Sequence, residues 1–421
     1  MKNVLLLLLT LLMALPIVAK DFEYTYEGQT ITYTVISESD KTVMTKEGGW
    51  SIIDPGTPVI GQTVSGVLEL PAHPKYGDTE YTLIRIPANA FYGSENLTSV
   101  TIPNTVKQIY TDAFSGCGLT SVSIPKSVLE IGYSIFYNCK NLTEINVDSD
   151  NPNYSSHDGV LYDKNATLLI QFPGSKSYVR IPDTVTEIGI SAFYNCQNLT
   201  SVELPNSVEI IGQDAFNNCS NLSSVKFGNS VTSIGCAAFS KCTRLSSVEL
   251  PNTVTTIEDF AFNACFDMAS AKIGNSVATI GQYAFSSCRE LTSIEIPGTV
   301  KTIGYDPFCL CDKLATVFYN TDKPIAFSNL GFYNPTTLYV HASAIEECKN
   351  LSPWKYFTNI LPYDFSGIDE IENDEIEGID RNEPYEVYNL NGMRVADTID
   401  GLSKGLYILK QGARVEKIAV K

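Results

Sequence analysis

The stretch LPNSVEIIGQDAFNNCSNLSSVK, from Leu204 to Lys226, shares its length and residue pattern with its neighbours in the chain. Six such segments follow one another in steps of 23 residues, beginning at Ile181, Leu204, Phe227, Leu250, Ile273 and Ile296. Two further copies begin at Ile102 and Ile124, after a partial copy from Ile86. An insertion at about 147–180 interrupts the series. A fixed step of about 20 to 50 residues is typical of solenoids, in which each coil packs on its neighbours.

The apolar residues inside each copy indicate how a coil is built. Val202 and Leu204 are apolar and are separated by one polar residue, which predicts a short strand with one face in the core. Phe216 and Cys219 follow, where we expect a tight helical turn to return the chain. One coil cannot bury its apolar face alone, so the coils must stack. The predicted fold class is a β-rich solenoid with short strands and helical turns.

Most of the 11 cysteines belong to the repeat. Eight of them follow a phenylalanine by three residues: Cys117, Cys139, Cys196, Cys219, Cys242, Cys265, Cys288 and Cys311. Because free cysteine is among the most buried residue types, this register predicts reduced thiols in the core. Disulfides between neighbouring coils are the alternative, since coils about 4.8 Å apart are within bridging distance. Side chains that point in the same direction leave no room for the required S–S torsion.

The other cysteines do not indicate a metal site. Zinc needs four converging ligands, and the closest pair, Cys309 and Cys311, has no matching pair nearby. Cys236, Cys309 and Cys348 lie outside the register. Cys236 replaces a residue that is polar in other copies, so we expect it to be exposed, either as an inert substitution or as a reactive thiol.

The N-terminus suggests an exported protein, and the net charge bears on its partners. Lys2 followed by an apolar run predicts a signal peptide at 1–19, and no later run is long enough to span a membrane. The net charge of −18 disfavours nucleic acid as a partner, because phosphate binding needs clustered Lys and Arg. The acidic segment 367–383 is predicted to be an extended linker.

The repeat pattern IPxSVTxIGxxAFxxCxxLTSV resembles that of the BspA-like leucine-rich repeat family, over 86–318. The segment from Thr336 to Ile360 is similar to the capping segment of that family, which places a C-terminal cap at 319–366. An N-terminal β cap is expected at 20–85. The resemblance implies a solenoid outside a bacterial cell, secreted or on the cell surface, with roles in adhesion and in binding host or neighbouring-cell proteins.

The tail at 384–421 resembles the second half of the C-terminal sorting domain of type IX secretion substrates. Two turn pairs independently predict a small β unit there. Asn391-Gly392 divides VYNL from MRV, and Gln411-Gly412 divides GLYILK from RVEKIAV. An inert β cap is the alternative interpretation of this tail.

The sequence does not point to an enzyme, a cofactor or a metal centre. His73, His157 and His341 lie in different segments, and none belongs to a motif that pairs a histidine with a catalytic carboxylate or nucleophile. The sequence contains no phosphate-binding loop, HExxH motif or GxSxG motif. We therefore expect a non-enzymatic protein.

The candidate binding face lies on the predicted strands. Its residues are Ser201, Glu203, Ser224, Lys226, Ser247, Glu249, Ser270, Lys272, Ser293 and Glu295. The charge alternates from coil to coil, and Pro205, Gly228, Pro251 and Gly274 alternate with it, which indicates that coils are grouped in pairs. The face is either a self-neutralised sheet or a recognition surface. Glycan-binding platforms stack sugars on aromatic rings, whereas these positions hold Ser, Glu and Lys, so protein partners are favoured over a glycan-binding accessory role.

Overall fold

The computed structural model describes residues 20–48, 62–327, 329–331, 337–363, 365, 369–370, 384–389, 394–396, 405–412 and 414–420. These form two compact units. The first comprises Met1–Cys139 and Asn146–Asn153, and the second comprises Lys140–Ile145 and Tyr154–Lys421. The predicted signal peptide and nearly all of the acidic segment lie outside the described residues. Both units are β-solenoids with very little helix, which confirms the predicted fold class.

The first unit begins with an antiparallel meander. Its strands are Asp21–Tyr26, Gln29–Ser37 and Thr42–Thr45. Three parallel strands from the coils complete a six-stranded sheet: Thr82–Ile86, Gln108–Ile109 and Glu130–Ile131. The other strands of the unit are Gly66–Glu69, Lys75–Tyr76, Thr79–Glu80, Leu97–Thr101 and Ser121–Ile124. Another strand, Glu144–Val147, ends the coil before the insertion.

Each coil of the second unit contributes two strands on two different faces. One face is a nine-stranded sheet that starts in the insertion and continues through the coils: Tyr154–His157, Val160–Asp163, Leu168–Gln171, Glu187–Ile188, Ile210–Ile211, Ser233–Ile234, Thr256–Ile257, Thr279–Ile280 and Thr302–Ile303. The six coil strands of this sheet are two residues long and parallel. The sequence indicated only that one residue in each is buried.

The predicted strands form the other face, called here the strand face. Its strands are Ser201–Glu203, Ser224–Lys226, Ser247–Glu249, Ser270–Lys272 and Ser293–Pro297. They do not form one continuous sheet. The first strand pairs with the second and the third with the fourth, and no strand ladder joins the second to the third.

The glycines of alternate coils explain why the coils are grouped in pairs. A Cβ atom on Gly228 would lie 2.2 Å from the carbonyl oxygen of Pro205, and one on Gly274 would lie 2.3 Å from that of Pro251. Real Cβ atoms do not approach another atom so closely, so only glycine lets the second coil of a pair lie against the proline of the first. The alternation of proline and glycine thus reflects main-chain packing.

The coils return through hydrogen-bonded turns, and the expected helical turns are not found there. In the coil of Phe216, Asp214 and Asn218 have φ values of 54° and 61°. A left-handed residue cannot continue a right-handed helix, so two of them in one return segment exclude a helical turn. The same segment bonds to the next coil, because the Phe216 N–H donates to the Ala238 carbonyl at 2.7 Å.

The core contains a column of stacked phenylalanine rings. Phe216 is fully buried, and its ring centroid lies 4.6 Å from that of Phe193 and 5.0 Å from that of Phe239. The eight cysteines that follow a phenylalanine by three residues, called here the ladder cysteines, line the same core and are buried. The Cys219 thiol donates a hydrogen bond to the Phe193 carbonyl of the preceding coil at 3.0 Å. The Cys219 thiol therefore fills space in the core and also forms a hydrogen bond that links two neighbouring coils.

The C-terminal part of the second unit closes with a four-stranded parallel sheet and a small tail sheet. The four strands are Ser293–Pro297, Thr316–Asn320, Thr337–Val340 and Asn359–Pro362. Between the last two lie the 3₁₀ turns Ala342–Ala344 and Trp354–Tyr356 and the short helix Ile345–Cys348. The tail strands are Asp369–Glu370, Glu386–Asn389, Arg394–Ala396, Gly405–Gln411 and Arg414–Val420. The hairpin predicted at Gln411-Gly412 is present, and Asn391-Gly392 lies outside the described residues.

Candidate functional site

The strand face presents its polar residues to solvent as the alternation predicts. On the strand Ser201–Glu203, both end residues are exposed and Val202 is buried, because successive side chains of a strand point to opposite sides. The strands of Ser224, Ser247 and Ser270 repeat this arrangement, with a less completely buried central residue in the first and third of them. Ser293 and Glu295 are half-buried. The ten predicted residues therefore share one face.

The charges of the strand face form two separate ion pairs. Lys226 Nζ lies 2.5 Å from Glu203 Oε1, and Lys272 Nζ lies 2.5 Å from Glu249 Oε1. Each pair joins residues in register on hydrogen-bonded strands. Among the described residues, Lys226 and Glu249 form no ion pair, because the sheet is interrupted between them. The alternating charges of the strand face are therefore divided into pairs, as the coils are.

Exposed side chains also occupy the aligned positions one coil before the first strand of the strand face, although the chain forms no strand there. Aligning Ile181 with Leu204 places Tyr178 at the serine position and Arg180 at the glutamate position. Both side chains are exposed, and Val179 between them is buried. The predicted insertion at about 147–180 includes both residues, so the predicted binding face begins only at Ser201. The stretch SYVRIP, aligned on the core position of Val179, was the signal that could have revealed them.

Each unit has a groove, which is lined in the second unit by strand-face residues and in the first unit by residues of the corresponding strands. In the second unit, the groove has a volume of about 620 Å³, and its lining includes Tyr178, Arg180, Asp183, Ser201, Glu203 and Lys226. We call it the Tyr178 groove. In the first unit, a groove of about 570 Å³ is lined by residues that include Ser99, Thr101, Ser121, Ser123 and Asp148. Solenoids commonly bind partners along surfaces built from successive coils.

The coil pattern matches the family model described as the BspA type leucine rich repeat region, in 6 copies. The matched residues are 78–166, 171–265, 209–339 and 257–366, which together exceed half of the chain. The chain belongs to the BspA-type leucine-rich repeat family. Proteins with BspA-type repeats are commonly surface proteins, and leucine-rich repeat proteins generally bind proteins and lack enzymatic activity.

Three solved structures are similar to this BspA-type chain at low identity. A leucine-rich cell surface protein from Faecalibacterium prausnitzii is 22% identical, over 68% of this chain and 95% of that chain, with a TM-score of 0.44. The pneumococcal vaccine antigen PcpA is 17% identical, over 82% and 98%, with a TM-score of 0.48. A leucine-rich repeat protein from Eubacterium ventriosum is 21% identical, over 68% and 93%, with a TM-score of 0.41. No curated protein matches the chain.

The strand face becomes aromatic toward the C-terminal end of the BspA-type array. Strand pairing places Phe318 beside Glu295 and Tyr339 beside Phe318, and these two rings stack with centroids 4.9 Å apart. Phe318 is buried in a cluster with Ile408 and Val415 of the tail. The tail therefore covers the aromatic end of the face, which leaves the exposed polar part between Tyr178 and Glu295.

The ladder thiols are poor nucleophiles. Burial raises the pKa of the Cys219 thiol to about 12, and it does the same for Cys139. Cys236 is half-buried rather than exposed, and its backbone N–H donates to Glu258 Oε2 at 2.9 Å. Burial and the nearby carboxylates, Asp214 first among them, raise its pKa. A reactive cysteine needs a lowered pKa, so the reactive alternative for Cys236 is not favoured.

The described part of the chain does not bring its histidines or its metal-ligating side chains together. Groups of three or more His, Cys, Asp or Glu side chains that could hold a metal ion are absent there. The histidines stay apart: His73 contacts Thr82, His157 lies beside the Tyr162 ring, and His341 contacts Asn320. None of the described helices is long and apolar enough to cross a membrane.

Proposed function

We propose that the chain is a secreted or cell-surface binding protein that contacts protein partners through its strand face. The observation that carries this proposal is the Tyr178 groove, which is lined by strand-face residues, together with a groove on the corresponding strands of the first unit. The regular rows of hydroxyl and charged side chains provide hydrogen-bonding groups along this surface. Adhesion to host matrix or neighbouring-cell proteins is the role that best fits an exported solenoid of this family.

The ion pairs would contribute to specificity more than to affinity. Lys226 and Glu203 have side chains that are 75% and 68% exposed, so a partner can contact them without first removing them from a buried site. Charged groups at such positions set the rate and the selectivity of association. A partner with charges complementary to alternating Glu and Lys would be favoured, and one with like charges opposite them would be rejected.

The test is surface plasmon resonance of the mature chain against a panel of purified extracellular-matrix proteins, with Lys226→Glu/Lys272→Glu as the test variant. Lys313→Glu is the matched control, because Lys313 forms a similar ion pair across neighbouring coils with Glu290, at 2.6 Å, outside the strands. We expect the double variant to lose affinity for a bound matrix protein by about tenfold or more, and the control to keep it. Equal losses in both variants, or no binding by the original chain, would contradict the proposal.

A further inference from the structure

The Tyr178 groove has a feature that the rest of the strand face lacks. The Tyr178 side chain is 72% exposed, the largest exposed fraction among the large apolar residues of the described chain. It occupies a position that holds serine in the next five coils. A ligand that covers this exposed ring removes apolar surface from water, which favours binding. The ring is therefore available to a ligand that covers it.

Two polar side chains of opposite hydrogen-bonding character line the same groove. Arg180 supplies only donors, and ionised Asp183 supplies only acceptors. Neither side chain forms a hydrogen bond or an ion pair with another described residue. A ligand group that both donates and accepts hydrogen bonds would satisfy both of them, and neighbouring hydroxyl groups have this property.

The charge of the groove favours a neutral ligand. Arg180 and Asp183 carry opposite charges, and Glu203 is already paired with Lys226 at 2.5 Å. The charged residues of the lining therefore sum to no net charge. An anionic ligand would gain from Arg180 but would be repelled by Asp183, and a cationic ligand would meet the reverse.

We propose that the Tyr178 groove binds a neutral saccharide, with the Tyr178 ring stacked on the C–H face of one sugar. The hydroxyl groups of that sugar accept hydrogen bonds from Arg180 and donate to Asp183. The volume of about 620 Å³ is within the range of small-molecule sites, about 300–1,000 Å³. This site is additional to the protein-binding role and does not depend on it.

The experiment is saturation-transfer NMR and titration of the full mature chain with unbranched hexasaccharides of glucose, mannose and galactose. A hexamer of galacturonate serves as the anionic probe. The open groove predicts weak binding, with a Kd of about 1 mM. Tyr178→Ala should weaken binding by about tenfold or more, whereas Tyr178→Phe should retain it. Tyr133→Ala is the matched control, since Tyr133 is another exposed tyrosine, at 63%, in the first unit.

Several results would overturn the saccharide site. One is the absence of binding by every neutral hexasaccharide to the original chain at about 10 mM. Another is neutral binding that Tyr178→Ala leaves unchanged. Binding of galacturonate alone, lost at high salt and in Arg180→Ala, would show an anion site instead. Unchanged thermal unfolding of Tyr178→Ala, expected for so exposed a side chain, separates loss of the site from loss of the fold. The matrix-protein test uses other variants, so the two proposals can fail separately.

Discussion

Charge exchange between coils tests whether the strand face is built from pairs of coils. Lys226 contacts Glu203 at 2.5 Å on a hydrogen-bonded strand, but it forms no ion pair with Glu249 on the other side of the sheet interruption. Lys226→Glu removes the ion pair and opposes two carboxylates. Cross-strand pairs contribute about 0.2–1 kcal/mol, and these side chains are well exposed, so a loss of about 1 kcal/mol is expected at low salt.

Two exchange variants then distinguish the neighbours of Lys226. Glu203→Lys/Lys226→Glu restores opposite charges inside the pair and should recover most of the lost stability. Lys226→Glu/Glu249→Lys/Lys272→Glu/Glu295→Lys places opposite charges across the interruption, keeps opposite charges in the second pair and leaves Glu203 facing Glu, so it should recover little. Cooperative thermal unfolding by circular dichroism measures the differences, which correspond to about 2 °C in Tm.

The salt dependence provides the control. At about 0.01 M salt the screening length is about 30 Å, and at about 1 M it falls to about 3 Å, so the difference between the two exchange variants should largely disappear at high salt. Equal recovery by the two variants at low salt would refute the coil pairing. It would mean that the strands stack evenly and that the charges form one continuous ladder.

Three substitutions test the packing in other places. Phe216→Ala removes a fully buried stacked ring and should lower the free energy of unfolding by about 3–5 kcal/mol in urea; a change below about 0.5 kcal/mol would place the ring outside the core. Gly228→Ala puts a Cβ atom 2.2 Å from the Pro205 carbonyl oxygen and should cost about 1–3 kcal/mol in the same assay, whereas a neutral result would contradict the close approach. Burial raises the Asp112 pKa to about 6 from 3.8, so its contribution to stability falls as the pH rises through about 4 to 6. Asp112→Asn should therefore be more stable than the original chain at pH 7, by about 1 kcal/mol after allowance for solvent screening, and should show no gain below pH 4; an equal gain at both pH values would contradict this assignment.

The sequence was sufficient for those parts of the fold that repeat with a fixed chemical character. Every full copy has a phenylalanine and a cysteine at the positions of Phe216 and Cys219, so the repeat itself predicted that both are buried. The strand Ser201–Glu203 followed from the alternation of polar and apolar residues. The grouping of coils in pairs was indicated by the alternation of proline and glycine, for which the close approach at Gly228 supplies the physical cause.

The parts that were missed have no fixed chemical signature. The return positions with left-handed backbone hold residues as different as Asp214, Phe260 and Leu310. Glycine or asparagine usually marks this conformation, and most coils do not have one of these residues at both positions. The strands of the nine-stranded sheet are only two residues long, too short for a periodic pattern. Tyr178 and Arg180 were missed because the insertion was assigned up to residue 180.

The burial of the ladder thiols tests the stacked-coil account most directly. The native chain is treated with an alkylating reagent, and each cysteine is then assigned by mass spectrometry before and after unfolding. Cys219 should remain unmodified in the native chain and react only after unfolding, because its thiol is buried and bonded to the Phe193 carbonyl. Half-buried Cys236 should react faster and serves as the internal reference. Modification of Cys219 in the native chain, or its recovery in a disulfide with Cys196 or Cys242, would contradict the account.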